Sequence, residues 1–313
     1  FMTTRLEDKN TRFLPFNQGS NGAGNVGGAG NPINPLDYDT AYLWNHVLTK
    51  DSLLNILARF IHLQQNINEQ TGDVEKEYII FPRYHQLDVV SKLIDDVSIE
   101  GCGKNYLIEH SAGSGKSNSI AWLAHRLSTL HKNDVKVFNT IIVVTDRKVL
   151  DSQLQNTIYQ FDHTPGVVVK IDKGKTSRDL LKAINDGRQI IITTIQKFPN
   201  IYQEIIQNNR NFAVIVDEAH QSQTGETAKA LKQGLANIEE TLKYYAELQE
   251  IEEEKIKDDL ESLEIVSQGT HKNLSFFAFT ATPKNKTLQL FGVPYEEDGK
   301  RKYRPFHVYS MKQ

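Results

Sequence analysis

The sequence predicts an α/β protein organised around a mostly parallel sheet, and three observations carry that prediction. Short apolar, β-branched runs recur at residues 106–108, 139–145, 167–171, 189–195, 212–216 and 274–279, the pattern of strands buried on both faces. Helical stretches at 116–130, 149–159 and 177–186 separate several of them, as parallel strands require a crossover connection. The composition, 39% hydrophobic and 24% charged over 313 residues, suits a chain with a sizeable buried core and excludes a disulfide miniprotein or a disordered tail. No apolar run approaches the length of a membrane span.

Taken in order, the elements begin with a glycine-rich stretch, Gly19 to Pro35, that can hold neither a helix nor a central strand and reads as a loop or linker. A phosphate cradle is the sharper reading, but no strand leads into it and Asn31-Pro32 stands where a helix should start. Residues 41–48 and 52–65, the latter with Leu53, Leu54, Ile56, Leu57, Phe60 and Ile61, have helical apolar spacing, as do residues 84–95. Residues 1–75 are therefore expected to form a helical and loop linker, and 76–313 a single lobe. An insertion near 236–265 carries Ile238, Leu242, Tyr245, Leu248 and Ile251 at steps of three and four, which predicts one long or two shorter amphipathic helices.

Charge is uneven. The formal net charge is -3, yet eleven acids against three lysines between Ala236 and Glu264 leave about -8 there and about +5 elsewhere. A polyanionic partner is therefore not excluded, because charge on a peripheral insertion is screened beyond roughly 8 Å. One cysteine, Cys102, allows no internal disulfide and suits a reducing, cytoplasmic compartment. Phe1 ahead of Met2 suggests a segment of a longer chain.

Three motifs carry chemistry. Glu109-His110-Ser111-Ala112-Gly113-Ser114-Gly115-Lys116-Ser117 follows one expected strand and opens a helix, the context of a P-loop. Gly113, Ser114 and Gly115 turn the backbone so that N–H groups point at phosphate oxygens. Lys116 would neutralise the β and γ phosphates of ATP, and Ser117 would place its hydroxyl on Mg²⁺. His110 stands where the usual pattern has its first glycine. A glycine-rich turn with a solvated lysine is the plainer reading of these residues alone, and the strand–helix context argues against it. The second motif, Asp217-Glu218-Ala219-His220, ends an apolar strand about a hundred residues later, where ligands of α/β sheets bind. Asp217 would hold Mg²⁺, Glu218 would orient or deprotonate the attacking water, and His220 would sense the γ-phosphate. An acidic helix N-cap is the alternative for these acids taken alone. The third, Thr280-Ala281-Thr282-Pro283, closes the next strand with two hydroxyls.

P-loop, then Asp-Glu-Ala-His, then Thr-Ala-Thr-Pro, each at a strand's C-terminal end, resembles the first RecA-like motor lobe of superfamily-2 helicases and translocases. The resemblance implies that Thr280 and Thr282 couple ATP state to lobe movement. Arg83, Tyr84, His85 and Gln86 look like that family's adenine-reading motif, with Arg83 and Gln86 in the ATP site. Residues 144–153 and 192–198 resemble its nucleic-acid motifs, which implies DNA contacts from Arg147, Gln153, Thr194 and Lys197.

More specific strings point within the superfamily. Asp217 to Gly225, Thr194-Ile195-Gln196-Lys197-Phe198, Asp146-Arg147 with Leu150-Asp151 and Gln153, and at the front Thr11-Arg12-Phe13-Leu14-Pro15-Phe16-Asn17 resemble the motor subunit of type I restriction-modification enzymes. Gln221 departs from the arginine this family often carries. The resemblance implies ATP-driven translocation of double-stranded DNA in a prokaryotic cytoplasm, distant cleavage, methylation (M) and specificity (S) subunits as partners, and no membrane. No nuclease site is assigned: Glu7-Asp8-Lys9 and Glu253-Glu254-Lys255 have only the shape of one. About thirty residues follow Pro283, too few for a second lobe, so weak turnover by this segment alone is expected. Another superfamily-2 motor, such as a type III restriction subunit or an RNA helicase, and a non-hydrolysing nucleotide-binding module remain the alternatives.

Overall fold

The computed structural model describes residues 1–67, 71, 73–145, 152–161, 166–172, 174–205, 209–217, 231, 235–236 and 271–313. Its centre is a seven-stranded sheet in which every described pairing is parallel. The strands of the chain are β1 (His62–Ile67), β2 (Val74–Ile80), β3 (Tyr106–His110), β4 (His131–Lys132), β5 (Val135–Lys136), β6 (Thr140–Thr145), β7 (Val168–Lys170), β8 (Ile190–Thr194), β9 (Phe212–Asp217), β10 (Leu274–Thr280), β11 (Val293–Glu297), β12 (Lys300–Arg304) and β13 (His307–Tyr309). The large sheet has the order β13-β3-β10-β9-β6-β8-β7. All six runs expected to be strands belong to it, in agreement with the α/β, mostly parallel expectation.

The helices are α1 (Lys50–Arg59), α2 (Tyr84–Glu100), α3 (Lys116–Ser128), α4 (Ser152–Gln160), α5 (Ser177–Asn185) and α6 (Asn285–Phe291). They cover both faces of the sheet, and the strand side chains divide accordingly. Ile141, Val143, Ile215, Phe277 and Phe279 pack on one side with Leu93, Trp122 and Leu154 of α2, α3 and α4. Ile142, Val144, Val214, Val216 and Phe276 pack on the other with Leu180 and Ile184 of α5. This alternation follows from the period-2 geometry of strands, and it explains why these runs are apolar throughout.

The front of the chain departs from expectation. A helix over 52–65 is not what forms: α1 ends at Arg59, and His62–Ile67 is instead a strand paired antiparallel with β2, from His62 opposite Ile80 to Ile67 opposite Val74. The helical apolar spacing ends at Ile61, and the Gln64-Gln65-Asn66 stretch beyond it offers no apolar stripe to hold a helix against the lobe. Leu53, Leu54 and Leu57 are exposed; only Ile56 and Phe60 anchor α1. Residues 43–47 form a short π-helical turn within the expected 41–48 helix. Phe16, Tyr42, Val47, Ile56 and Phe60 join the same core as α2 and α3, and Trp122 Nε1 donates to the Phe60 carbonyl at 2.9 Å. The glycine-rich stretch is a loop, as expected, but it is docked rather than free. Val308 N–H donates to the Gly24 carbonyl at 3.0 Å, and Lys92 Nζ to the Ala23 carbonyl at 3.0 Å.

Candidate functional site

The order of the strands brings the motifs together. β10 lies between β3, which leads into the P-loop, and β9, which ends in Asp217; Thr280 aligns with Glu109, and Phe279 with both Ile108 and Asp217. Motifs a hundred residues apart in sequence thus end side by side at the C-terminal rim of adjacent parallel strands, where such sheets bind ligands.

The P-loop runs from His110 at the end of β3 to Lys116 at the start of α3. Gly113 and Gly115 have φ of +76° and +81°. At Gly115 a Cβ would also lie 2.5 Å from Gln86 Nε2, so both backbone conformation and close approach require glycine. The first N–H groups of α3 have no intrahelical acceptor and face the N-terminal end of the helix, a place suited to anions. Lys116 Nζ donates to the His110 carbonyl at 3.4 Å.

Several side chains clamp this loop. His85 Nε2 meets the Ser114 carbonyl at 2.9 Å, and Gln86 Nε2 donates to the Gly115 carbonyl at 2.9 Å and the Ser114 carbonyl at 3.4 Å. Gln86 Oε1 accepts from the Arg83 N–H at 2.8 Å. Both ends of the Gln86 amide are therefore engaged with protein, and Arg83 sits at the N-cap of α2. Ser111 N–H donates to the Tyr309 carbonyl at 2.9 Å, tying the loop to the edge strand β13. His85 stacks on Tyr309 with ring centroids 3.6 Å apart. Burial lowers the His85 pKa to about 4, against the opposing effect of the bond to Ser114.

The residues present fit a nucleotide triphosphate with Mg²⁺. Ser114 Oγ is buried and has no hydrogen-bond partner among the described residues, an acceptor-seeking hydroxyl inside the phosphate loop. Open space lies where a Cβ of Gly113 would stand. Ser117 and Asp217 supply hard oxygen donors of the kind Mg²⁺ takes, one or two from protein with the rest from phosphate and water.

The other expected site residues divide into three groups. Thr280 is fully buried and its Oγ1 accepts from the Thr282 N–H at 3.3 Å, while Thr282 is exposed; the two hydroxyl residues form one turn. On the second rim, Thr194 is buried at the end of β8. Lys197 donates to the carbonyls of Ile171 at 2.8 Å, Lys175 at 2.9 Å and Asp172 at 3.3 Å. With its ammonium hydrogens directed at three carbonyls, Lys197 ties its own loop together. Gln153 lies in the first turn of α4. Glu218, His220, Gln221, Arg147 and the 236–265 insertion beyond Ala236 lie outside the described residues.

Sequence reasoning placed His85 in a motif without giving it a role, and missed Asp88, His307 and Tyr309. His85 and Asp88 stand three apart on α2, one helical turn, which is a usable signal. Nothing in the last seven residues marks His307 and Tyr309 as neighbours of the P-loop.

A P-loop on one strand, an acidic strand end two positions across the sheet and a hydroxyl turn between them define a P-loop ATPase lobe. Residues 85–241 match the SWI2/SNF2 ATPase family model, half of the chain, and the chain belongs to that family. Over 202 residues it is 30% identical to the endonuclease subunit of the type I restriction enzyme HindI of Haemophilus influenzae, covering 62% of this chain and 18% of that protein. It is 31% identical to the SauCOLORF180P type I restriction endonuclease subunit of Staphylococcus aureus, covering 62% of this chain and 20% of that protein. The chain thus spans about a fifth of the length of these curated relatives. Among solved structures it is similar to the Pyrococcus furiosus Hef helicase domain, with 15% identity, a TM-score of 0.42, and coverage of 67% of this chain and 35% of that one. No described helix is long and apolar enough to cross a membrane.

Proposed function

We propose that this chain is the ATP-driven motor lobe of a type I restriction endonuclease subunit, which in the complete prokaryotic enzyme couples ATP hydrolysis to movement along double-stranded DNA and to distant cleavage. The observation that supports it is the register of β3, β10 and β9, which aligns Glu109 with Thr280 and Phe279 with Asp217. In this reading Lys116 exchanges the His110 carbonyl for the β and γ phosphates. The α3 N-terminus and Ser114 take the remaining phosphate oxygens, and Ser117 with Asp217 would hold Mg²⁺, which supplies charge neutralisation at the phosphates when bound. Glu218 orients or deprotonates the attacking water. Recognition of adenine by Gln86 requires its amide to exchange the Ser114 and Gly115 carbonyls for the base, with Arg83 beside it. The Thr280–Thr282 turn, on the strand between the two halves of the site, carries the ATP state outward.

Double-stranded DNA, and the methylation and specificity subunits, are the partners this reading implies. The test is ATP hydrolysis by the full-length chain with duplex DNA, single-stranded DNA and RNA compared, with Glu218→Gln as control. Duplex-specific stimulation that Glu218→Gln abolishes is the expected result. Stimulation by RNA alone would replace the reading with an RNA-dependent motor, and no turnover at all with a nucleotide-binding module.

A further inference from the structure

A chain of polar side chains that the proposed reaction does not use leads to the first residue of the P-loop. Lys92 Nζ pairs with Asp88 Oδ2 at 2.8 Å, and Asp88 Oδ2 meets His307 Nε2 at 2.9 Å. His307 Nδ1 in turn meets His110 Nε2 at 2.9 Å. Both histidines are fully buried. The direction of the bonds follows from what each group can do. A carboxylate only accepts, so His307 donates from Nε2; a neutral imidazole has one N–H, so its Nδ1 accepts and His110 donates from Nε2.

The electrostatics agree with that geometry. Burial holds the pKa of His110 well below the ordinary value, with His307, His85 and Lys116 adding to the effect. Burial also lowers His307 against the opposing pull of Asp88. For Asp88, burial acts upward, but the hydrogen bond and charge of His307, with Lys92, outweigh it and lower the carboxyl. At pH 7 two neutral rings and one carboxylate are thus present, which is what a one-directional chain needs.

We propose that Asp88, His307 and His110 are a positioning relay for nucleotide binding: Asp88 selects the tautomer of His307, His307 holds the His110 ring, and the fixed ring sets the backbone of the first residue of the P-loop. The relay rests on the reading of the P-loop as an ATP site. It joins three segments distant in sequence, α2, the P-loop and β13. The glycine-rich loop closes over it, since a Cβ on Gly24 would stand 3.0 Å from His307 Cδ2. Packing alone would be served by apolar rings, whereas burying two imidazoles beside a half-buried carboxylate is costly, the more so as His110 Nδ1 has no partner among the described residues. An edge strand of three residues thereby acquires control over the affinity of a site to which it donates no ligand.

The test is the dissociation constant of a fluorescent ATP analogue with Mg²⁺ for the full-length chain, with thermal unfolding recorded alongside. His307→Leu should weaken binding about tenfold, as expected for losing about one hydrogen bond's worth of alignment. His307→Gln, whose amide keeps one donor and one acceptor, should recover affinity to within about threefold of the parent. Equal affinities for His307→Leu and the parent, or equal losses for Leu and Gln, would overturn the relay and leave only packing. If His307→Leu does not fold, Asp88→Asn decides: it keeps volume but removes the charge that selects the tautomer, so weaker binding supports the relay and unchanged binding overturns it. Lys116→Ala separates the two levels. Unchanged binding there would remove the ATP site itself, and the relay with it.

Discussion

Two rims at the same end of the sheet have different characters. At the P-loop corner, side chains from α2 and the backbone of β13 converge on a loop they do not belong to: His85 and Gln86 reach Ser114 and Gly115, and Tyr309 reaches Ser111. At the end of β8, Lys197 bonds back to carbonyls of the segment that follows β7. Both follow buried parallel strands, and both carry a lysine within a few residues of the strand end. The difference teaches that a strand end becomes a ligand site when distant segments hold its backbone in place and leave oriented donors over, as Ser114 Oγ is left. Lys197 is bonded to three carbonyls of its surroundings and Lys116 to one.

The contrast can be broken first at Lys116. Lys116→Ala should weaken ATP about 10²-fold, the effect of losing a charge-assisted contact of about 2–3 kcal/mol, while thermal unfolding stays close to the parent; titration of an ATP analogue measures it. A second test uses pH. His85 in the folded chain has its pKa lowered from 6.5 to about 4, so the unfolded chain takes up a proton that the folded chain refuses. Its stabilising contribution is complete above about pH 6.5 and is lost as pH falls toward 4, amounting to about 2–3 kcal/mol by pH 4.5. Urea unfolding at pH 7.5 and 4.5 should show a loss at least that large, since burial lowers His110 and His307 as well, and His85→Gln should reduce it by about 2–3 kcal/mol.

Gly115→Ala sharpens the geometric side of the comparison. With φ at +81° and Gln86 Nε2 2.5 Å from the new methyl, it should destabilise by about 1–3 kcal/mol and reduce ATP affinity together with stability, as paired melting and binding measurements would record. The smallest effect belongs to the other rim. Lys197→Ala should cost about 1 kcal/mol of stability by chemical unfolding and leave ATP affinity unchanged; a loss of affinity there would erase the distinction drawn between the two rims.

Legibility in the sequence followed burial. Ile141 to Val144 and Phe276 to Phe279 are apolar on successive residues because both sheet faces are covered, so the strands could be recognised one by one. The P-loop was legible because Gly113, Gly115, Lys116 and Ser117 are adjacent and each is required by local geometry. The hairpin of β1 and β2 was not, because Leu53, Leu54, Ile56 and Leu57 imitate a longer helical stripe and the strand's partner lies beyond an intervening segment. Nor was the engagement of Gln86 and Lys197, since a side chain's free or bound state depends on carbonyls elsewhere in the chain.

The sequence by itself determined the elements whose causes are local: the α/β class, the strand–loop–helix of the P-loop, the acidic strand end at Asp217 and the hydroxyl turn at Thr280. Tertiary structure alone decided the order of the strands, and so which ends meet. It also decided that β13, after two hairpin strands, returns to pair with β3 and brings His307 within 2.9 Å of His110. The physical reason is that a helix or turn is selected by residues within a few positions of each other, whereas strand neighbours and buried polar partners are selected by which surfaces of the whole chain can be covered and satisfied at once.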